Sequence, residues 1–230
     1  MNWIEVSRAA LNGDGLEPYV AGEITNLFDW AENPAGSSAH LMAHRGRFLV
    51  DIVTIEANAV HQPSKPGDEI VVVLEGKLQL TDDADGRQQN FAPGEAVLIP
   101  AGWAGLYRVI PGDGDFRELA IVPHDYFDEA AAPPPSGLSP RRLHPPMTPG
   151  QHQLHNGRYS VTALAGRTAR HPVDVPSEMV VRILSGKLSL YGADRAAEYH
   201  PGDVLVLPAG LAAEAVTSDD YCALIARWIG

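Results

Sequence analysis

Short, largely apolar runs of four or five residues recur along the chain, separated by residues that favour turns. Six of these runs are Ile70–Leu74, Ala96–Ile99, Leu119–Val122, Val180–Leu184, Val204–Leu207 and Cys222–Ile225. Many are bounded by Pro-Gly, Asp-Gly or Ala-Gly pairs, the pattern expected of β-strands joined by tight turns. Because successive positions are apolar, we expect both faces of the strands to be buried. The pattern predicts an all-β fold, a small antiparallel barrel or jelly roll.

The same pattern occurs twice. Three blocks of the first half recur in order in the second half, namely His44–Val50 as His155–Val161, Val73–Leu80 as Ile183–Leu190, and Phe91–Gly102 as Tyr199–Gly210. Since their order is kept, a duplicated domain is predicted. Residues 123–150 hold eight prolines, which favours an extended connector. The predicted organisation is an N-terminal arm over 1–40 with a short helix near Ile4–Leu11, a first barrel over 41–122, a Pro-rich linker over 123–150 and a second barrel over 151–230.

The charge balance narrows the range of partners. The chain of 230 residues has 17 Lys+Arg against 29 Asp+Glu, a net charge of −12. This balance argues against nucleic acid and anionic membranes, because both select for basic surfaces. The single cysteine, Cys222, excludes a disulfide framework and a cysteine-rich metal site, and its apolar neighbours predict a buried thiol. The sequence shows no signal peptide and no membrane-spanning run, so we expect a cytoplasmic protein.

Two glycine-containing motifs resemble those of the cupin superfamily. Its first motif ends in Glu-(six residues)-Gly, as in Glu69–Gly76, and its second is Gly-(five residues)-Pro-x-Gly, as in Gly94–Gly102 and Gly202–Gly210. The first copy is also similar to the branch that contains ethanolamine-utilisation proteins and bicupin ureidoglycine aminohydrolases. The resemblance implies two tandem cupin (RmlC-like jelly-roll) β-barrels. It does not specify a reaction, because one fold hosts many chemistries.

The resemblance also implies where a metal would bind. Metal-dependent cupins usually hold Mn, Fe, Ni or Zn through two histidines and a glutamate of the first motif and a histidine of the second. Only Glu69 matches in the first copy, where the three histidine places fall on Gln62, Ser64 and Gly105. In the second copy the four places fall on Pro172, Asp174, Met179 and Ala213. Most of the metal-ligand set is therefore missing.

Two histidines nevertheless lie close to the expected places. His61 and His171 hold the same place in the two copies, and each precedes an acid by seven residues, the spacing of the family's motif. Both pairs are one residue out of register with the motif glycine, which in a strand turns a side chain to the opposite face, although a β-bulge would restore them. The candidate metal ligands are His61, Asp68, Glu69, His171 and Glu178. The expectation is no cofactor, with a divalent transition metal as the alternative.

Five residues are candidates for contact with an organic ligand. Arg182 shares strand parity with Glu178, so the two side chains could pair inside the second barrel or Arg182 could bind a carboxylate. The alternative is an exposed strand arginine. Trp103 and Tyr107 follow a Pro-Ala-Gly turn and would either line a pocket or pack in the core. Glu69 could act as a base if it is buried, or else lie solvated at the start of a strand.

Three functions remain open from the sequence. An intact scaffold without most metal ligands favours a bicupin that binds a small polar organic molecule in one or both barrels. The second hypothesis is a metal-dependent cupin enzyme, such as a hydrolase of a small amide or ureido compound. The third is a structural or regulatory module whose barrels are filled by side chains. Whether the protein is an enzyme is uncertain, and a homodimer formed through β-sheet faces is expected.

Overall fold

A computed structural model describes residues 2–12, 14, 38–62, 64–126, 136–144, 148–166 and 169–229, without the side chains of 38–42, 58 and 60. Within these ranges the chain forms twenty strands and one four-residue helix, α1 (Arg8–Leu11), so the all-β prediction is confirmed. The helix predicted near Ile4–Leu11 is only half present, because β1 (Ile4–Val6) occupies its first half. No described helix is long and apolar enough to cross a membrane.

Two compact units divide the chain, one of residues 9–143 and one of residues 1–8 with 144–230. We call them the first and the second barrel. The predicted arm and linker are thus distributed between the barrels. Residues 15–37 of that arm, and residues 127–135 and 145–147 of that linker, lie outside the described part of the chain.

The first barrel consists of two antiparallel sheets. Its strands are β2 (Ser38–Arg45), β3 (Phe48–Ile55), β4 (Asn58–Gln62), β5 (Glu69–Glu75), β6 (Lys77–Asp82), β7 (Gln88–Phe91), β8 (Ala96–Ile99), β9 (Gly105–Ile110), β10 (Phe116–Pro123) and β11 (Arg141–Leu143). The larger sheet has the order β11-β8-β5-β10-β3-β2 and the smaller one β4-β9-β6-β7. Side chains of both sheets form one apolar core, as in a jelly roll.

The second barrel repeats this topology. Its further strands are β12 (Gly150–Asn156), β13 (Tyr159–Ala165), β14 (Ala169–Asp174), β15 (Met179–Ser185), β16 (Leu188–Tyr191), β17 (Ala196–Tyr199), β18 (Val204–Leu207), β19 (Ala212–Thr217) and β20 (Cys222–Trp228). The sheet orders are β1-β18-β15-β20-β13-β12 and β14-β19-β16-β17. The predicted duplication is therefore present strand by strand. Cys222 is buried, as its neighbours indicated.

Each larger sheet ends in a short edge strand. Strand β11 lies along β8 of the first barrel and belongs to the same continuous stretch of chain. Strand β1 lies along β18 of the second barrel, although it precedes the first. Both strands cover what would otherwise be a sheet edge with free backbone groups. Trp3, next to β1, packs in the core of the second barrel and donates a hydrogen bond from its indole N–H to the hydroxyl of Tyr199.

The hairpin after β5 requires glycine. Gly76 has φ of 75°, and a Cβ there would lie 2.7 Å from the carbonyl oxygen of Ile110. Just before it, the pairing of β10 moves from Val73 to Glu75, so a β-bulge lies at Leu74. The bulge and the glycine turn the chain from the larger sheet into the smaller one.

Candidate functional site

Polar side chains lie inside the first barrel, on the same strand faces as its apolar core. Glu69 alternates with the core residues Val71 and Val73 along β5, so its side chain faces the interior. Glu118 of β10 and Tyr107 of β9 face inward by the same alternation, and Glu118 is 1% exposed. Carboxyl groups are rarely found so fully buried from solvent, and this interior contains two of them.

Two further side chains reach this interior from outside the strands. Lys65 lies in the loop before β5 and is fully buried, with 0% exposure. Tyr126 lies in the turn after β10 and is also buried. Together with the three strand residues they make up what we call the interior cluster: Lys65, Glu69, Tyr107, Glu118 and Tyr126.

Hydrogen bonds connect the members of the interior cluster. Lys65 Nζ donates to Glu69 Oε2 at 2.6 Å, and the hydroxyl of Tyr126 donates to the same oxygen at 3.3 Å. Lys65 Nζ also lies 5.1 Å from the centre of the Tyr107 ring, within cation–π range. The hydroxyl of Tyr107 donates a hydrogen bond to Glu118. The cluster is thus one ion pair and one tyrosine–carboxyl pair in contact through the Tyr107 ring.

Burial controls the protonation of the second carboxyl group. It raises the pKa of Glu118 to about 8, and the negative charges of Glu69 and, more weakly, Asp51 add to this shift. Burial likewise raises the pKa of Tyr107 well above its ordinary value, with Glu118 as the next contribution. At neutral pH Glu118 is therefore mostly protonated, and the barrel holds a neutral carboxylic acid beside a lysine–carboxylate pair.

The backbone of the second glycine motif holds Lys65 in place. Lys65 N–H donates to the carbonyl oxygen of Trp103 at 2.8 Å, and Gly102 N–H donates to the carbonyl oxygen of Lys65 at 2.9 Å. Asp68 supports the same turn, since its Oδ1 accepts from the N–H of Ala101 at 2.8 Å. The loop that precedes the first motif thus meets the end of the second motif at the lysine.

The second barrel has no counterpart of the interior cluster among its described residues. The equivalent positions follow from the strand pairing and from the same backbone hydrogen bonds. They are Val175 for Lys65, Met179 for Glu69, Ala215 for Tyr107 and Ala223 for Glu118. All four belong to or pack against the apolar core of the second barrel. The duplication has preserved the fold but not the interior chemistry.

The structure brings together only part of the predicted ligand-binding set. Glu69 and Tyr107 are in the interior cluster. Trp103 is buried in the same core, and its carbonyl oxygen accepts a hydrogen bond from the N–H of Lys65. The neighbours of Arg182 in sequence, Val181 and Ile183, both pack in the core of the second barrel. Arg182 therefore lies on the opposite face of β15. It is buried, and burial lowers its pKa to about 10.

Glu178 is not in the interior of the second barrel either. It is partly exposed and lies just before β15, and its carbonyl oxygen accepts from the N–H of Trp228 at 3.0 Å. The arginine–glutamate pair that strand parity suggested would have required the face carrying Arg182 to line the barrel. The core of that barrel uses Met179 and its alternate neighbours instead.

His61 lies on the outer side of the first barrel. It pairs with Leu106 of β9, whose neighbour Tyr107 faces the interior, so strand alternation turns His61 outward. Its Nε2 lies 2.6 Å from Oδ2 of Asp83, and both side chains are exposed. The β-bulge at Leu74 does not restore the predicted pair of His61 and Asp68 to the interior. The carboxyl group that faces the interior belongs to Glu69 and not to Asp68.

His171 does not hold the place of His61, contrary to the sequence interpretation. It pairs with Ala215, whereas the residue paired with Tyr107, the counterpart of Ala215, is Val60. By strand pairing, His171 is therefore equivalent to Val60, one residue before His61. It is half-buried and lies on the side of β14 that faces Ala215. The sequence repeat hid this shift because the offset between the copies changes from 110 to 111 at this strand.

Comparison with known proteins identifies the fold. No family model matches the chain, and no curated protein is similar to it in sequence. Among solved structures, a protein of unknown function of the DUF861 family from Pseudomonas syringae pv. tomato has a TM-score of 0.60 at 13% identity, covering 98% of each chain. The cupin 2 conserved barrel domain protein from Leptotrichia buccalis has a TM-score of 0.59 at 11% identity, over 85% of this chain and 90% of that one. The chain has the cupin fold.

A third similar structure was solved with a metal. The bacterial pirin YhhW from Escherichia coli, in complex with nickel(II), has a TM-score of 0.51 at 13% identity, over 93% of this chain and 95% of that one. Identities this low show a shared fold and no more. The branch of cupins suggested by the first copy stays a prediction.

The side chains of the first barrel do not fit a transition-metal centre. In the described ranges no group of three or more His, Cys, Asp and Glu residues is arranged to hold a metal ion. Gln62 occupies one of the positions where metal-dependent cupins have a histidine, and its side chain faces inward. It lies opposite Gly105, which occupies another of these histidine positions. A Cβ at Gly105 would collide with the carbonyl oxygen of Thr81 and lie 2.5 Å from Cζ2 of Trp103, so no histidine fits there. Glu69 is bound to an ammonium group.

Lys65, Glu118 and Tyr126 were missing from the sequence prediction. A usable signal existed for Glu118, and for the buried Asp51, because each is the single acid of a largely apolar strand. Such a residue in a cupin barrel is expected inside, where side chains alternate. Lys65 gave no comparable signal, since it lies in a loop beside a proline.

Proposed function

We propose that this cupin binds a small polar organic molecule in the first barrel, at the interior cluster and without a metal, and that the second barrel is a scaffold. The observation that carries the proposal is the contrast between the copies. The same fold has apolar residues at the four equivalent positions in one copy, and a buried ion pair and a neutral carboxylic acid in the other.

Burial of the interior cluster has an unfavourable free energy of desolvation. Burial of a charged pair removes hydration worth several kcal/mol per ion, and an apolar replacement of similar volume is often at least as stable. Val175 and Met179 of the second barrel show that the jelly roll does not need the pair. Groups with strongly shifted pKa values in a barrel interior are more often found at sites of function.

The cluster suits a ligand with both hydrogen-bond donors and acceptors. The Lys65 ammonium group and protonated Glu118 can donate, the Glu69 carboxylate can accept, and the two tyrosine hydroxyls can do either. Glu118, whose raised pKa of about 8 lies near neutral pH, is the member of the cluster suited to transfer a proton. Binding is nevertheless the function that the cluster supports best.

Calorimetric and NMR screening of metal-stripped protein tests the proposal. Small amides, amines and hydroxy acids are titrated in excess chelator, against wild type and Glu69→Gln. We expect at least one compound to bind wild type without metal and to bind the variant at least tenfold more weakly. Glu198→Gln is the matched control, because Glu198 pairs with Lys187 at 3.0 Å on the exposed surface of the second barrel.

Two results would overturn the proposal. Near-stoichiometric Mn, Fe, Ni or Zn in the purified protein, together with ligand binding only after metal is restored, would favour the metal-dependent cupin. A complete absence of binding, with the site variants as well folded as wild type, would favour the structural module.

A further inference from the structure

The buried polar atoms of the first barrel that lack a hydrogen-bond partner among the described residues include the indole Nε1 of Trp103 and Oδ2 of Asp82. Trp103 is 0% exposed and Asp82 is 5% exposed. The other oxygen of Asp82 is occupied, since Oδ1 accepts from the N–H of Ala84 at 3.0 Å. Buried polar groups are nearly always satisfied, so each of these atoms calls for a partner.

Both atoms flank the same glycine. Gly105 of β9 lies directly opposite Asp82 of β6, and opposite Gln62 of β4 on its other side. Opposite residues in an antiparallel pair have their Cβ atoms about 5 Å apart. The indole of Trp103 lies against this glycine, because a Cβ there would be 3.0 Å from Cε2, the carbon bonded to Nε1. A donor and an acceptor thus lie beside the same glycine, whose own Cβ position is already filled by the indole ring.

The chemistry of the pair selects its partner. The indole N–H can only donate and the Asp82 carboxylate can only accept. An anion would be repelled by Asp82, and a cation would leave the indole N–H unsatisfied. A neutral group that accepts and donates at adjacent atoms satisfies both.

We propose that Trp103 and Asp82 form a subsite for a hydroxyl or primary carboxamide group of the ligand. This inference rests on the function proposed above and adds the class of group that the ligand carries at the Gly105 side of the barrel. The interior cluster would bind the remainder of the molecule. Gln62, which is buried in the same row, supplies a further amide beside the subsite.

NMR of the full chain tests the subsite with defined probes. The indole resonance of Trp103 is assigned by its loss in Trp103→Phe, and acetamide and ethanol are titrated as the carboxamide and hydroxyl probes. We expect saturable shifts of this resonance with both. N,N-dimethylacetamide, which accepts but cannot donate, should bind more weakly than acetamide.

The variant Asp82→Asn isolates the acceptor. Its Oδ1 can still accept from the N–H of Ala84, so the turn is kept, while the atom at Oδ2 becomes a donor. We expect acetamide to bind this variant about tenfold more weakly, the order expected for one charge-assisted hydrogen bond. Asp83→Asn is the control, because Asp83 is exposed beside His61.

Three outcomes would overturn the subsite: an indole resonance unmoved by acetamide, equal affinity in Asp82→Asn, or a water that stays on the indole N–H in saturating acetamide. Failure here and failure of the proposed function are distinguishable. A screened ligand that needs Glu69 but leaves the Trp103 resonance unchanged would remove the subsite and retain the function. If acetamide bound at Trp103 but no screened ligand depended on Glu69, the proposed function would be removed and the subsite retained.

Discussion

Replacement of the buried ion pair by its second-barrel counterparts should separate stability from function. The double variant Lys65→Val/Glu69→Met gives the first barrel the side chains that the second already uses at these places. Methionine has nearly the volume of glutamate, and valine is smaller than lysine. The double variant should therefore fold, with a small cavity where the lysine chain was.

The expected energies follow from the geometry of the pair. At 2.6 Å between Nζ and Oε2, the attraction is about 6 kcal/mol for an effective dielectric constant near 20. Desolvation of two ions costs several kcal/mol each, so the net contribution is close to zero. Glu69→Met alone leaves the ammonium group without its carboxylate and should cost about 3–5 kcal/mol. The double variant should lie within about 2 kcal/mol of wild type.

A double-mutant cycle in urea measures this difference. The two single variants and the double variant are unfolded at pH 7, and the coupling energy is taken from the four free energies of unfolding. We expect coupling of at least about 3 kcal/mol and loss of ligand binding in the double variant. If the double variant were as unstable as the sum of the single variants, the coupling would be zero, each side chain would stabilise the fold independently of the other, and the functional argument from the cost of the pair would fail.

Single substitutions elsewhere have equally definite expected results. Because the pKa of Glu118 is raised from 4.5 to about 8, folding retains a proton that unfolding releases between these values, so stability should fall as pH rises from about 4.5 to 8. Urea unfolding at pH 5.5 and 7.5 should show this slope, at most about 1.4 kcal/mol per pH unit, and Glu118→Gln should flatten it. Trp3→Ala should destabilise the second barrel by about 3–5 kcal/mol, measured by hydrogen exchange; equal loss of protection in β3 and β10 would contradict the assignment of Trp3 to that barrel. Gly105→Ala should lower stability by about 2 kcal/mol or more through its backbone collision, whereas Gly112→Ala, with 3.6 Å to the nearest atom, should change it little; thermal melts that rank the two alike would refute this.

Periodicity and the repeat were sufficient to predict the fold. Turn glycines such as Gly76 and the paired Pro-x-Gly motifs are local signals, because they reflect a backbone conformation that few other residues adopt. The apolar runs mark strands for a similarly local reason. The place of β1 could not be predicted in this way, because its partner β18 is about 200 residues away and edge pairing leaves no mark in three residues.

The site was predicted only where the family motif continued to apply. Glu69 was found because its spacing to Gly76 is kept. Lys65 was not, because the cupin motif expects imidazoles and a lysine in a loop is normally solvated. His61 and His171 were linked by a constant offset that the strand pairing does not maintain. Lys65 is held by backbone hydrogen bonds to Gly102 and Trp103, more than 30 residues away, and local sequence does not indicate such a contact.

The pairing of β1 with β18 of the second barrel affects how the chain can be divided. A cut anywhere between β11 and β12 leaves the first fragment with β1, a strand whose partner is in the second fragment. The second fragment would then expose β18 as an unprotected edge, open to pairing with other chains. The barrels are therefore not modules that can be expressed at the boundary of the repeat. A chain that begins at residue 9 and carries residues 1–8 after its present C-terminus would be the arrangement in which the second barrel is contiguous.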